Sequence, residues 1–235
     1  MNLMTEIIAE IGQNFNGDID VAIQLILEAK KSGADVAKFQ LYNAKELFSR
    51  EGNPWYEYNC STELTYNNVK KLKQVCDDND IEFMASAFDV ERVDWLEDVG
   101  VQRHKLASRS IFDQDLINKV LKTNKPTFIS LGMWNQEGFP EINNENAKYL
   151  YCVSKYPTEL EDVKLKQVDF DKYFGFSDHT VGITASCVAL SRGARIIEKH
   201  FTLDREAFGP DHICSMTPNQ LLQLSTFRDE LKLCL

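Results

Sequence analysis

Short β-rich runs recur eight times along this chain, at residues 6–11, 36–41, 82–87, 101–107, 127–131, 148–153, 173–176 and 195–201. Amphipathic stretches with helical spacing separate most of them, at 20–32, 65–79, 90–99, 113–123, 183–192 and 217–233. Strand-then-helix alternation without a linker rich in Pro, Gly or Ser predicts an α/β fold, a single (β/α)8 TIM-barrel domain over residues 1–235. An open doubly wound sheet is the competitor, but it calls for a glycine-rich phosphate loop after the first strand. Ile11-Gly12-Gln13-Asn14-Phe15-Asn16-Gly17 is not one. Helix stop and start signals agree with the barrel. Gly33 follows Lys30 and Lys31, Gly100 and Gly193 stand before later strands, and Thr217-Pro218 opens the last helix. Two places break the rhythm. Residues 42–62, with Trp55, Tyr56 and Tyr58, read as a long loop of the kind that covers a site. Residues 134–147 carry Gly138, Pro140 and several Asn, so the fifth helix is expected to be short, distorted or missing.

Composition excludes some partners. A net charge of −10 repels a nucleic-acid backbone. No apolar run approaches the roughly 20 residues that span a bilayer. Residues 1–6 lack a basic segment leading into an apolar one, so no secretory signal is expected. Six cysteines are scattered without a Cys-x-x-Cys pair, and reduced, mostly buried thiols are expected. The expectation is a cytoplasmic protein.

In a barrel of this kind, chemistry sits at the carboxyl ends of the strands. Those ends read Glu10, Lys38 with Gln40, Ser86, Lys105 with Ser108, Ser130, Ser154 with Tyr156, Ser177 with His179, and His200. Singly, each has a bland reading. A lysine in a strand is more often a snorkelling surface residue. Two histidines 21 residues apart are no metal-ligand signature, and on spacing alone core or helix-capping roles compete evenly. Jointly, two lysines, several hydroxyls and two imidazoles describe a pocket for a phosphorylated or carboxylated substrate and a divalent metal.

Eight stretches carry a resemblance. They are Ala9-Glu10-Ile11-Gly12-Gln13-Asn14, Gly33-Ala34-Asp35-Val36-Ala37-Lys38-Phe39-Gln40, Lys105-Leu106-Ala107-Ser108 and Ser130-Leu131-Gly132-Met133. Further along come Cys152-Val153-Ser154-Lys155-Tyr156-Pro157, Phe176-Ser177-Asp178-His179-Thr180-Val181-Gly182, Glu198-Lys199-His200-Phe201-Thr202-Leu203-Asp204 and Gly209-Pro210-Asp211-His212. In order and over almost the whole chain, they resemble the N-acetylneuraminate (sialic acid) synthase family. The resemblance implies a transferase that condenses phosphoenolpyruvate with an N-acyl amino sugar such as N-acetylmannosamine, giving a nonulosonic acid and phosphate. It implies a divalent metal on His179 and His200, usually manganese, with magnesium or cobalt as alternatives. It assigns phosphoenolpyruvate to Lys38, Lys105, Ser108, Ser130, Ser154 and Ser177, where the family often has Asn in place of Ser154. It assigns the sugar to Glu10, Tyr156 and Asp211, with Glu10 also placed for proton transfer and Gln40 beside the same pocket. A homodimer is a further implication.

The chain departs from the family pattern in places. Asn14-Phe15 replaces Asn-His, and Ser108-Arg109-Ser110 replaces Ser-Gly followed by a carboxylate. Family members carry a C-terminal antifreeze-like domain that supplies an arginine to the sugar's N-acyl group across a dimer. This sequence ends at Leu235 after its last predicted helix, so that contact is expected to be absent, with Arg109 a candidate replacement. Two rival readings stay open: a phosphoenolpyruvate-condensing synthase for another aldose, and a non-catalytic sugar- or metal-binding homologue.

Overall fold

Each of the eight β-rich runs forms a strand: β1 (Glu6–Gly12), β2 (Val36–Leu41), β3 (Glu82–Ala87), β4 (His104–Leu106), β5 (Thr127–Ser130), β6 (Ala147–Cys152), β7 (Gly175–Asp178) and β8 (Ile196–His200). The computed structural model describes residues 5–142 and 144–234, so residues 1–4, on which the absence of a signal segment was argued, lie outside the described residues. Every neighbouring pair is parallel, and β8 pairs with β1 from Glu6↔Ile196 to Glu10↔His200, closing the barrel. The helices are α1 (Ile19–Lys31), α2 (Ala44–Leu47), α3 (Tyr56–Ser61), α4 (Tyr66–Asp78), α5 (Val90–Asp98), α6 (Gln114–Leu121), α7 (Thr184–Ser191) and α8 (Pro218–Cys234). Side-chain caps start most of the long ones. Asp18, Thr65, Asp89 and Asp113 each accept a backbone N–H from the first turn of their helix, satisfying donors the helix itself cannot. Gly33 ends α1 at φ +90°, and a side chain there would also strike Ser225 of α8.

The fifth crossover has no helix among its described residues, as Gly138 and Pro140 predict, and β7 and the 42–62 loop differ from the sequence reading; each feature has a local cause. The helix's place on the barrel wall is taken by Phe139, whose ring packs 5.1 Å from Tyr149 and 4.8 Å from Tyr173. The sixth crossover holds only a 3-10 turn, Leu165–Gln167. β7 begins at Gly175 rather than at residue 173, because Tyr173 closes a turn onto Asp169 and turns its ring into that aromatic cluster. The 42–62 loop contains α2 and α3, the first capped by Asn43 and tied down by Glu63, which accepts the Ala44 N–H.

The period-two alternation of a strand explains how the interior is layered. Ile8, Val36, Met84, Phe128, Leu150 and Ile196 meet inside the barrel as an apolar plug. Two residues further along the same six strands stand Glu10, Lys38, Ser86, Ser130, Cys152 and Glu198. One pleat therefore converts a hydrocarbon floor into a polar chamber. Gly175 completes the floor on β7, since a Cβ there would collide with the Ile196 backbone and side chain. Beneath the plug, Arg103 donates to both carboxylate oxygens of Glu82 at 2.8 and 2.7 Å and stacks on Phe128. A larger apolar layer between strands and helices supplies most of the remaining core. It also encloses a fully buried ion pair, Lys199–Asp178 at 3.3 Å, with Ser186 donating to Asp178 and Lys199 donating to the Thr180 carbonyl. The six thiols are free. No helix of the described residues is long and apolar enough to cross a membrane.

Candidate active site

The carboxyl ends of the strands enclose two joined cavities. The inner one, of about 50 Å³, is lined among others by Glu10, Lys38, Lys105, Ser130, Ser177 and His179. The outer one, of about 510 Å³, adds Ser154, Arg109 and Asp211, and Gln40, Ser108, Tyr156 and His200 line both. Every site residue read from the sequence therefore falls on one connected chamber at one mouth of the barrel.

Charges in the inner cavity are paired before any ligand arrives. Lys38 Nζ stands 2.7 Å from Glu10 Oε2 and 3.5 Å from Glu198 Oε2, and donates to Ser86 Oγ at 3.1 Å. Lys105 Nζ stands 3.6 Å from Glu198 Oε1 and donates to the Leu106 carbonyl. Burial pulls both ammonium groups toward neutrality. For Lys38 the two carboxylates more than restore its charge, and its pKa lies above the ordinary lysine value. Lys105 has Glu198 as its main carboxylate and a second ammonium nearby, so desolvation prevails and its pKa is lowered. Glu198 feels burial pushing it up, but Lys105, Lys38 and the Ser177 hydroxyl hold it down at about 2. Gln40 donates to Glu10 Oε1 at 3.0 Å, which fixes the carboxylate's rotation.

The serines divide by what their hydroxyls are doing. Ser130 Oγ is buried without a partner and faces the cavity, as a ligand-seeking donor would. Ser108 Oγ accepts the Gly132 N–H at 3.0 Å, leaving its own proton available. Ser177 donates to Glu198 at 2.6 Å, so this hydroxyl orients the carboxylate and has no second proton to offer. Ser154 lies within 4.0 Å of the Cys152 thiol on the outer cavity's wall.

The imidazoles of His179 and His200 have ring centres 5.7 Å apart, with Tyr156 packed over them at 4.1 and 6.2 Å. An ion about 2.1 Å from a ring nitrogen sits roughly 3.3 Å from the ring centre, so two rings sharing it stand at most about 6.6 Å apart. The observed spacing is within that reach. His179 Nδ1 lies 3.0 Å from the Val153 carbonyl, an orientation that puts its proton there and leaves Nε2 with a free lone pair. His200 Nδ1 is buried and unpartnered, 4.0 Å from Asp211 Oδ2, and burial keeps this ring below the ordinary histidine pKa, hence neutral at pH 7. A neutral imidazole suits a divalent cation. His179 differs: against the pull of burial, the Cys152 thiol and the Val153 carbonyl raise it above the ordinary histidine value, so a cation binding there would displace its proton. No cluster of three or more His, Cys, Asp or Glu that could hold a metal exists among the described residues, so a cation here would have these two imidazoles as its protein ligands.

Sequence reasoning passed over Glu198 and Cys152 as site residues. The signal was available: Glu198 is two positions before His200 on one strand, and Cys152 two before Ser154. Both therefore had to point inward with them. Cys152 Sγ is 3.8 Å from His179 Nδ1. Burial raises its pKa, but the neighbouring imidazole, with Ser108 and Lys105, brings it below the ordinary thiol value.

The profile of the NeuB family matches residues 25–233. The chain belongs to the NeuB family. It is 34% identical to the N,N'-diacetyllegionaminic acid synthase of Legionella pneumophila over 93% of this chain and 69% of that one. It is 33% identical to the human N-acetylneuraminate-9-phosphate synthase over 93% of this chain and 67% of that one. Among solved structures, the N-acetylneuraminic acid (sialic acid) synthetase of Leptospira borgpetersenii superposes with a TM-score of 0.91 at 30% identity, covering 99% of this chain and 85% of that one. The chain is thus a sialic acid synthase-like enzyme of the NeuB family, built as one barrel.

Proposed function

We propose that this NeuB-family barrel condenses phosphoenolpyruvate with the open-chain aldehyde of an N-acyl amino sugar of the N-acetylmannosamine kind, giving a nonulosonic acid and phosphate. The observation that carries the reading is the opening of a lysine-lined inner pocket and a paired-imidazole wall on the same mouth. The inner cavity takes the compact, highly charged partner and the outer cavity the larger, hydroxyl-rich one. In the reaction, the methylene carbon of phosphoenolpyruvate bonds to the aldehyde carbon, whose oxygen takes up a proton. Water adds to the former enol carbon, the carbon–oxygen bond to phosphate breaks, and a ketone remains.

Each residue has a part in this scheme. Lys38 and Lys105 hold the phosphate and carboxylate of phosphoenolpyruvate, with Ser108 and Ser130 donating to free oxygens, so that the nucleophilic carbon faces the outer cavity. Ser177 and Glu198 fix the lysines in place. Glu10, locked between Lys38 and Gln40, reaches the boundary of the two cavities and handles the proton there. Tyr156, Ser154 and Asp211 shape the sugar's end. His179 and His200 would hold a divalent cation, manganese first and magnesium or cobalt as alternatives. That cation would supply Lewis-acid polarisation of the aldehyde.

The test is phosphate release from phosphoenolpyruvate with manganese and a panel of N-acyl sugars. Release that depends on one of those sugars is expected. Lys105→Ala should lower kcat/KM about 100-fold, the equivalent of roughly 3 kcal/mol of lost transition-state stabilisation. Manganese binding without phosphate release from any sugar would defeat the reading.

A further inference from the structure

Among the described arginines, Arg109 is the one that lines the outer cavity. Arg92, Arg103 and Arg228 each hold a carboxylate at 2.6–2.7 Å. No carboxylate among the described residues lies within 4.0 Å of Arg109, and its only hydrogen bond is a long one, 3.4 Å to the Leu47 carbonyl. The residue is exposed, and its guanidinium rests against two aromatic rings. Its central carbon lies 5.2 Å from the Phe48 ring centre and 6.0 Å from that of Phe88. Desolvation there pulls its pKa below the ordinary arginine range. It also faces the outer cavity, which has His200 in its wall. A stacked fork at the cavity mouth with at least four unused N–H donors suits an oxyanion. The inner cavity already contains a lysine pair for the phosphoenolpyruvate charges, so the anion for Arg109 comes with the other substrate.

We propose that Arg109 is a specificity-determining residue that binds an anionic group, a phosphate ester or a carboxylate, at the end of the acceptor sugar remote from its aldehyde. This rests on the condensation reading above.

The test compares N-acetylmannosamine, its 6-phosphate and the corresponding 6-carboxylate as acceptors for wild type, Arg109→Gln and Arg109→Lys. Wild type is expected to prefer one anionic acceptor by roughly 10- to 100-fold in kcat/KM, mostly through KM. Arg109→Gln should collapse that ratio toward one, and Arg109→Lys should keep part of it. The better anion identifies the group. Equal use of charged and neutral acceptors by wild type would overturn the assignment without recourse to a variant. If no acceptor is turned over, the condensation reading fails separately. Calorimetric binding of the three sugars to wild type then decides on Arg109: tighter binding of an anionic sugar, lost in Arg109→Gln, upholds it, and equal binding overturns it.

Discussion

Replacing Glu198 with Gln puts the charge balance of the inner cavity to a quantitative test. Glu198 is buried between two ammonium groups at 3.5 and 3.6 Å and accepts the Ser177 hydroxyl at 2.6 Å. Its carboxyl is held at about 2, against an ordinary value of 4.5. Each pKa unit is worth about 1.4 kcal/mol, so the depression corresponds to about 3 kcal/mol of native-state stability at pH 7. Losing one member of a buried ion pair costs a similar amount, about 3–5 kcal/mol. Because the folded value is depressed, this stability is fully present above the unfolded value near 4.5 and is lost as pH falls toward 2. Urea unfolding of wild type and Glu198→Gln in a chelator-containing buffer should show a gap of about 3 kcal/mol at pH 7. At pH 3.5, about one unit below the unfolded value, the gap should narrow by roughly 1 kcal/mol. Equal stabilities at pH 7, or a gap that stays constant down to pH 3.5, would refute the idea that Glu198 is the shared counter-ion of the two lysines.

Three further outcomes follow from the geometry. Gly132→Ala places a methyl group 2.8 Å from Cys152 Sγ, 3.1 Å from Ser108 Oγ and against Ser154, and should destabilise by about 1–3 kcal/mol in thermal unfolding while lowering turnover. His179→Ala should weaken manganese affinity at least about tenfold by calorimetric titration, with the far-ultraviolet circular dichroism of the fold retained. Phe128→Ala opens a hole in the apolar plug and should cost about 3–5 kcal/mol in urea unfolding.

The barrel was legible because its signal is redundant. Eight strands report one architecture, and misplacing β7 by two residues leaves the strand count unchanged. The site residues were legible for a related reason. A strand ending in a buried polar group is costly unless the group does something, and nearly every strand here ends that way. What the sequence left obscure was pairing. Nothing in the order of residues says that Ser177 gives its proton to Glu198, or that Glu10 and Glu198 divide two lysines between them. Ser177 with Glu198 and Glu10 with Lys38 join consecutive strands, but the contacts of Glu198 with Lys38 and Lys105 cross the barrel, and only its closure sets their distances. The helix-free crossovers were half visible: Gly138 and Pro140 argued against a helix, but the aromatic patch replacing it depends on Tyr149, Tyr151 and Tyr173 from other segments. Arg109 stood out as a departure from the family pattern and a candidate replacement for a missing contact, but its setting was hidden. Its bed of Phe48 and Phe88 comes from two other loops and could not be read locally.

The resident carboxylates of the inner cavity also affect how tightly a guest is retained. A lone phosphate or acetate reaching Lys38 or Lys105 must compete with Glu10 and Glu198, which are tethered there at high effective concentration. Only a guest bearing two anionic groups at a spacing that engages both ammoniums outcompetes them. Under the proposed condensation, inorganic phosphate left by a turnover would face the same contest, and the carboxylates that hold the lysines in readiness would also clear the cavity for the next cycle.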